Sequence, residues 1–260
     1  MGLLANNLYA QGAYVTIHGG YGLGLNSQNG GLLGYSNSVR GNNSITYNEA
    51  NYSLGKGLTF GGTFGYMFNK NIGAELGVSY LIGGKSKAQE TYTSGKTDYT
   101  LSAKMLRINP SLVISSGLEG VSPYAKFGLI IGSGSVKNEY NDNDDGDIEY
   151  LKIKLHEGLS FGVSSSIGSL FKLSDNMSFF GELSMISLSY SPKKGEVIEA
   201  TYNGTDELQN LTTSEKEVEF VDSYTYNFNS PSPDSKPSKE LKIKMPFSSI
   251  GLNIGVRIGF

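Results

Sequence analysis

Apolar and polar residues alternate along much of this chain, most regularly in its final segment, IGLNIGVRIGF. Every second residue from Ile250 to Phe260 is apolar, and the residues between them are glycine, asparagine or arginine. A period of two predicts a β-strand with one apolar face and one polar or small face. Seven earlier segments have the same period, so the sequence predicts eight strands. Their approximate bounds are 13–25, 58–68, 72–82, 99–115, 125–132, 155–168, 177–188 and 250–260.

The alternation changes phase in two of these segments. Leu101 to Met105 carry their apolar residues at odd positions, whereas the apolar residues from Leu106 onward hold even positions. A one-residue β-bulge near Met105 or Leu106 would return all of them to one face of the strand. In the segment at 177–188, Phe180 lies on the polar face and the phase slips again before Leu188.

Connections of two kinds join the predicted strands. The short ones, 69–71, 116–120 and 172–176, are rich in the turn formers Asn, Asp, Gly and Ser. Long polar connections alternate with them and are predicted to be loops at about 26–55, 84–98, 135–149 and 191–240. Short turns at one end and long loops at the other are typical of barrels that span the bacterial outer membrane.

The predicted fold is therefore all-β: a transmembrane antiparallel up-and-down β-barrel of eight strands, formed by residues 11–260, whose apolar faces contact lipid. The long loops are expected to be extracellular, and the short turns and both termini periplasmic. An aromatic girdle is expected beside the short turns. Its candidate members are Phe68, Phe171, Phe179 and Phe260. Residues 1–10, MGLLANNLYA, are interpreted as the remainder of a signal peptide, since a short apolar stretch precedes the small residue Ala10.

Composition narrows the function classes. The chain has no cysteine, which excludes disulfides, thiol nucleophiles and Cys-ligated metals. Its net charge is −3 with both signs interspersed, so nucleic acid is not an expected partner. No apolar run is long enough for a transmembrane helix. Glycine, with 35 of 260 residues, is about twice as frequent as the ~7% of average proteins.

Three segments carry a family resemblance: SPYAKFGLIIGSG at 122–134, LFKLSDNMSFFGELSM at 170–185 and LNIGVRIGF at 252–260. They resemble the small "porin family" outer-membrane β-barrel proteins of Bacteroidota-type Gram-negative bacteria, which are similar in architecture to OmpA/OmpX-type barrels. The resemblance covers the strands and not the loops. It implies a fold and a location in the cell envelope, and it assigns no activity. The terminal strand, with Val256, Ile258 and Phe260, resembles the signal that the outer-membrane assembly machinery recognises during insertion.

An eight-stranded barrel is only just wide enough to be filled by its own side chains. Glycine and serine on the inward faces would leave room for a few large polar residues. Those assigned to the interior are His18, Glu75, Arg107, Lys126, Glu182 and Arg257. Because unpaired charge is costly in so confined a space, Glu75 and Glu182 are predicted to pair with the three bases in one network. This network could be a polar plug that maintains the barrel's shape, or a gate or proton path.

The sequence contains two further candidate sites. The segment NDNDDGDIEYLK at 141–152 partly fits a calcium loop, but Asn141 holds the first ligand position and Lys152 the place of the bidentate glutamate. A hydrolase site would need a serine, a histidine and an acid together, and no serine is tied by spacing to His18 or His156. No catalytic residue, cofactor or metal is therefore expected.

The leading functional hypothesis is a non-enzymatic structural or interaction protein that acts through its extracellular loops, as a subunit of a larger outer-membrane complex or against lipopolysaccharide. The main alternative is a narrow diffusion pore. A lipid A-modifying enzyme is a third hypothesis.

Overall fold

The computed structural model describes residues 12–25, 36–41, 43–49, 52–226, 228 and 233–260. The predicted signal segment 1–10 lies outside the described residues, as does part of the first predicted loop, 26–55.

Strands dominate the described chain. In chain order they are β1 (Gly12–Gly24), β2 (Ser36–Arg40), β3 (Ile45–Glu49), β4 (Gly57–Met67), β5 (Ile72–Gly83), β6 (Ser86–Thr91), β7 (Gly95–Ser115), β8 (Val121–Asp144), β9 (Asp147–Lys172), β10 (Met177–Tyr190), β11 (Lys194–Tyr202), β12 (Thr205–Asp206), β13 (Glu217–Val221), β14 (Ser238–Leu241), β15 (Met245–Pro246) and β16 (Ser249–Gly259). A short helix, α1 (Thr213–Lys216), precedes β13 and begins with a capping box formed by Thr212 and Glu215. No described helix is long and apolar enough to cross a membrane.

Among the described residues, eight strands pair antiparallel in a closed cycle, which we call the ring. The order around the ring is β1, β4, β5, β7, β8, β9, β10 and β16, and β16 pairs again with β1. Each of the alternating segments predicted from the sequence overlaps one of these strands. Gly12 and Phe260, the first and last described residues, lie with the short turns at one end of the ring, and the described parts of the long connections lie at the other.

The apolar face of each ring strand points outward. Ile17 is 71% exposed and Leu252 60% exposed, whereas the neighbouring inward residues Thr16 and Glu75 are buried. This arrangement is the reverse of that in a soluble β-protein, whose apolar faces are buried in a core. The four predicted girdle residues are also exposed, and the rings of Phe171 and Phe179 lie 6.5 Å apart.

The bulge predicted near Met105 is wrong. The ladders of β7 with β5 and β8 keep one register through this point, pairing Met105 with Leu81 and with Gly134. Leu101, Ala103 and Met105 instead face inward and are buried. The phase of β7 changes because the interior of the ring changes from polar to apolar at this level. The slip predicted before Leu188 is also absent: Phe180 and Leu188 both face inward on β10, and its two ladders keep one register.

The apolar level of the interior is a buried hydrophobic cluster at the long-connection end, which we call the cap. Ring strands and the long connections both contribute to it, so it closes the ring's interior at that end. Its members are Tyr52, Leu54, Leu81, Leu101, Ala103, Met105, Ile130, Val136, Leu155, Leu188, Tyr190, Phe220, Ile243, Met245 and Phe247.

The ring has one irregularity, between β8 and β9. The register shifts between Gly134 and Val136, opposite Glu157, whose φ is 62°. Tyr190 of the cap compensates for the interrupted ladder: its hydroxyl donates to the Gly134 carbonyl oxygen at 2.7 Å and accepts from the Gly158 N–H at 3.2 Å. A residue of β10 thereby satisfies backbone groups that a bulge leaves unpaired.

Much of the chain predicted to be loop is strand. β8 and β9 continue through the predicted loop 135–149 to a two-residue turn, Asp145 and Gly146, both with positive φ. Asn203 and Gly204 form the same kind of turn between β11 and β12. Asp-Gly and Asn-Gly are the preferred sequences of such hairpin turns, because both positions require a left-handed backbone.

The strands and strand segments that lie beyond the ring form a second region, which we call the outer sheet. On one side β11 pairs with β9, β13 with β11, and β14 runs parallel to β13. On the other side β6 pairs with β7, β2 runs parallel to β6, and β3 pairs with β2. The outer sheet therefore stands on the long-connection end of the ring, beyond the cap.

Candidate functional site

The polar level of the ring's interior is the candidate site. It contains a cavity of about 110 Å³, with a lining dominated by polar side chains and glycine from the inward strand faces. Five of the six residues assigned to the interior from the sequence line this cavity: His18, Glu75, Arg107, Lys126 and Glu182. Arg257 does not line the cavity; it lies on β16 four residues beyond the cavity-lining Asn253, on the same inward face.

Lys126 on β8 holds the two interior carboxylates together. Its Nζ lies 3.0 Å from Glu75 Oε2 and 3.1 Å from Glu182 Oε2, and all three side chains are largely buried. The ammonium also lies 5.0 Å from the centre of the Tyr124 ring and 5.7 Å from that of Phe180. The ammonium is therefore held both by the charges of the two carboxylates and by the quadrupoles of the two aromatic rings.

Tyrosines complete the hydrogen bonding of the carboxylates. Tyr14 donates to Glu75 Oε1 at 2.6 Å, and Tyr124 donates to Glu182 Oε2 at 3.1 Å. Asn253 donates to Glu182 Oε1 at 3.4 Å. Sequence analysis missed all three residues, although the signal was present: each shares its strand's inward phase with a predicted interior residue.

Glycines across the ladders make room for the interior aromatic rings. Tyr14 is opposite Gly65, Tyr124 opposite Gly168, and Phe180 opposite Gly255. A Cβ added to Gly65 would lie 2.2 Å from Cζ of Tyr14, and those added to the other two glycines would lie under 3 Å from the facing ring. Part of the chain's high glycine content is thus explained by three aromatic side chains that need the space.

The two arginines do not join the predicted network. The Arg257 guanidinium stacks on the Tyr14 ring, 3.4 Å from its centre, and makes no ion pair with a described carboxylate. Arg107 is 2% exposed, and its Nε and Nη2 have no hydrogen-bond partner among the described residues. The prediction of one network of five residues is therefore corrected to a triad of Glu75, Lys126 and Glu182. Lys126 reaches both carboxylates at once, whereas Arg107 lies nearer the cap, beyond the reach of either carboxylate.

The remaining predicted residues lie elsewhere. Val256 and Ile258 share the outward face of β16, and Phe260 follows them, 80% exposed, with its N–H bonded to the Ala13 carbonyl at 3.0 Å. His156 lies at the bulge of β9, where its Nδ1 is 3.6 Å from Glu157 Oε1. Lys194 lies 3.0 Å from Glu157 Oε2.

The acidic segment 141–152 is a hairpin of the outer sheet. Lys152, at the position where a calcium loop has its bidentate glutamate, lies 2.7 Å from Glu199 of β11. The hydrogen bond from Lys152 to Glu199 raises the pKa of the lysine. The segment's geometry is thus that of a paired strand held by a surface ion pair.

Comparison with known proteins gives a family match. The family described as "Outer membrane protein beta-barrel domain" matches residues 5–213, well over half of the chain. No curated protein matches the sequence significantly.

Solved structures also show similarity. The outer membrane protein OprG from Pseudomonas aeruginosa is 14% identical, with a TM-score of 0.48 and 96% of each chain covered. CarO2 from Acinetobacter baumannii is 13% identical, with a TM-score of 0.35 and coverage of 96% of this chain and 98% of that one. CarO from the same species is 13% identical, with a TM-score of 0.30 and coverage of 77% and 92%. At TM-scores below 0.5 these similarities support no inference about function.

Proposed function

This chain belongs to the outer-membrane β-barrel protein family, and from that premise we propose that it is a closed, non-enzymatic barrel that serves as a structural or interaction component through its outer sheet. The ring is the transmembrane part, a barrel of eight strands of the small OmpA/OmpX-like type found in Bacteroidota. Its short turns and both chain ends face the periplasm, and the outer sheet faces the exterior. No cofactor or metal takes part in this role.

The observation that carries the proposal is the closed interior. The cap fills the long-connection end with fully buried side chains, among them Leu81, Tyr190 and Phe247. Below it, Lys126 bridges Glu75 and Glu182 across the interior. A hydrophobic cluster in series with a buried ion-pair triad opposes the passage of hydrated solutes, because each would have to be broken for a solute to pass.

The outer sheet supports the interaction role. Its outermost described strands, β3 and β14, are edges that expose backbone groups able to pair with another chain. Several aromatic residues of the last long connection are also exposed: Tyr202, Tyr224, Tyr226 and Phe228. Exposed aromatic residues are enriched at protein interfaces, so the proposed partners are a larger outer-membrane complex and lipopolysaccharide. Insertion itself would require the assembly machinery, with Val256, Ile258 and Phe260 as the signal.

Conductance in planar lipid bilayers tests the closed interior. The unmodified protein should show no large, stable conductance. A double change, Tyr190→Gly with Phe247→Gly, removes two cap rings whose centres lie 5.6 Å apart and should produce frequent openings. The matched control is Tyr224→Gly with Tyr226→Gly, which removes two exposed rings outside the cap and should leave the bilayer silent.

A narrow diffusion pore remains the second candidate, favoured by the polar cavity below the cap. Large and stable conductance of the unmodified protein would establish the pore and contradict the proposal.

Affinity purification from native membranes after mild detergent extraction tests for a partner directly. A protein that co-purifies in stoichiometric amount, and that is lost when Tyr202, Tyr224 and Tyr226 are all changed to Ser, supports the interaction role. A change in the mass of lipid A on expression would instead indicate an enzyme.

A further inference from the structure

Arg107 is the interior cation that the triad leaves unexplained. It lies on the inward face of β7, between Met105 of the cap and Asn109 of the polar level, and pairs across the ladders with Ser79 and Gly132. The side chain is 2% exposed, and Nε and Nη2 find no acceptor in the described protein. These two nitrogens form one edge of the guanidinium, from which two N–H bonds point in the same direction.

The charges of the interior do not balance without a further anion. Within the described interior, the two negative charges of Glu75 and Glu182 are equalled in number by Lys126, which pairs with both, and by Arg257, which stacks on the tyrosine bonded to Glu75. That set of four is neutral, so Arg107 is left with a net charge of +1. A buried cation without a counter-charge is among the costliest arrangements in a protein interior.

The Arg107 side chain lies at a cavity that can hold a counter-ion. It lines the cavity of about 110 Å³ together with the hydroxyl-bearing residues Ser79, Ser111 and Ser164 and the amide of Asn109. A volume of that order accommodates a few water-sized groups. The Asn109 amide already donates to the Leu129 carbonyl and to Ser164 Oγ. The hydroxyl groups of Ser79 and Ser111 are therefore the ones that can donate to an anion beside the arginine.

From this arrangement we propose that the interior of the ring binds a small inorganic anion of halide size, held in the cavity beside the Arg107 guanidinium just below the cap. An anion suits this position better than a water molecule, because water cannot neutralise the guanidinium charge. The site goes beyond the structural role proposed above, because it assigns a ligand to the closed interior itself.

Bromide is the direct probe, since its anomalous scattering locates it. The full chain, refolded and crystallised in sodium bromide, should show an anomalous peak within hydrogen-bond distance of the Arg107 guanidinium. The peak should be lost in Arg107→Gln and kept in Lys104→Gln, which removes an exposed lysine from the same strand. The absence of a peak at Arg107 in the unmodified protein would overturn the proposal.

A stability measurement supplies a second readout. A ligand that binds only the folded state raises the apparent Tm as its concentration increases. The Tm of the unmodified protein in detergent should rise saturably with sodium chloride or bromide, and not with sodium gluconate at equal ionic strength, because gluconate is too large for the cavity. Arg107→Gln should abolish the difference between the salts, and Lys104→Gln should preserve it. Equal effects of halide and gluconate on the unmodified protein would contradict the site even if Arg107→Gln failed to fold.

Discussion

At the scale of single residues, the interior is organised around Lys126. One ammonium bridges two buried carboxylates, and each carboxylate also accepts from a tyrosine, so contacts from four different strands hold the triad together. Buried ion pairs of this kind add little net stability when complete. They become very costly when one partner is removed, and loss of Lys126 would leave two buried carboxylates without a counter-charge.

We therefore predict that Lys126→Met costs about 3–5 kcal/mol of the free energy of unfolding, because two buried carboxylates lose their counter-charge. Denaturant unfolding in lipid vesicles measures this. The control is Lys152→Met, which removes the surface pair with Glu199 and should cost no more than about 1 kcal/mol. Equal losses for the two variants would mean that the triad is not buried as described.

A second prediction concerns the space left by glycine. Gly65→Ala places a Cβ 2.2 Å from the Tyr14 ring and should destabilise the protein by about 1–3 kcal/mol, the usual cost of overpacking. Gly181→Ala is the control, since a Cβ there would meet nothing within 4 Å. In a Tyr14→Leu background the cost of Gly65→Ala should fall, and a cost that did not change would show that the ring is not the cause.

At the scale of the elements, the ring strands share an outward apolar face, and the inward faces of β5, β7, β8, β9 and β10 change from polar to apolar near the cap. β7 shows this within one strand: Arg107, Asn109 and Ser111 face the polar cavity, and Leu101 and Met105 face the cap. The composition of the outward face thus suits contact with lipid, and the composition of the inward face depends on whether it lines the polar cavity or the cap.

Ile254→Arg, near the middle of β16 and more than half exposed, tests the outward face. Placing a charge in the hydrocarbon should cost about 2–4 kcal/mol in vesicles. The same change at Ile148, an exposed residue of the outer sheet, should be nearly neutral because water surrounds it there. Denaturant titration of both variants in the same lipid measures the difference, and a neutral Ile254→Arg would place that face outside the membrane.

At the scale of the whole molecule, the ring closes only when the first and last strands meet. β16 pairs with β1 from Val15 and Ile258 through Leu23 and Ile250, and on its other side it pairs with β10. Without β16, two neighbouring strands would present unpaired backbone groups to lipid, where no water can satisfy them.

Deletion of residues 249–260 should therefore abolish the folded state, so that boiled and unboiled samples migrate alike on a gel. The control shortens the hairpin of the outer sheet by deleting 139–142 and 149–152, which pair with one another outside the ring. That variant should keep the difference in mobility between boiled and unboiled samples. A heat-sensitive band from the chain without β16 would show that closure is not required.

Local signals in the sequence accounted for different parts of the fold to different degrees. The alternation identified the ring strands, because a period of two depends only on neighbours along the chain. The hairpins at Asp145-Gly146 and Asn203-Gly204 were also encoded locally, in turn sequences that were read as parts of loops. Met105 and Leu188 were misassigned because the pattern cannot say whether an inward residue meets a polar cavity or a cap.

The sequence by itself determined that one face of each strand is apolar and that six charged or polar residues point away from it, because side-chain direction follows from backbone geometry alone. Only the tertiary structure decided that Lys126 takes both carboxylates, that Arg257 stacks on Tyr14 and that Arg107 stands apart. Those outcomes depend on the register of strands far apart in the chain and on distances across the ring, which exist only once the strands have closed upon one another.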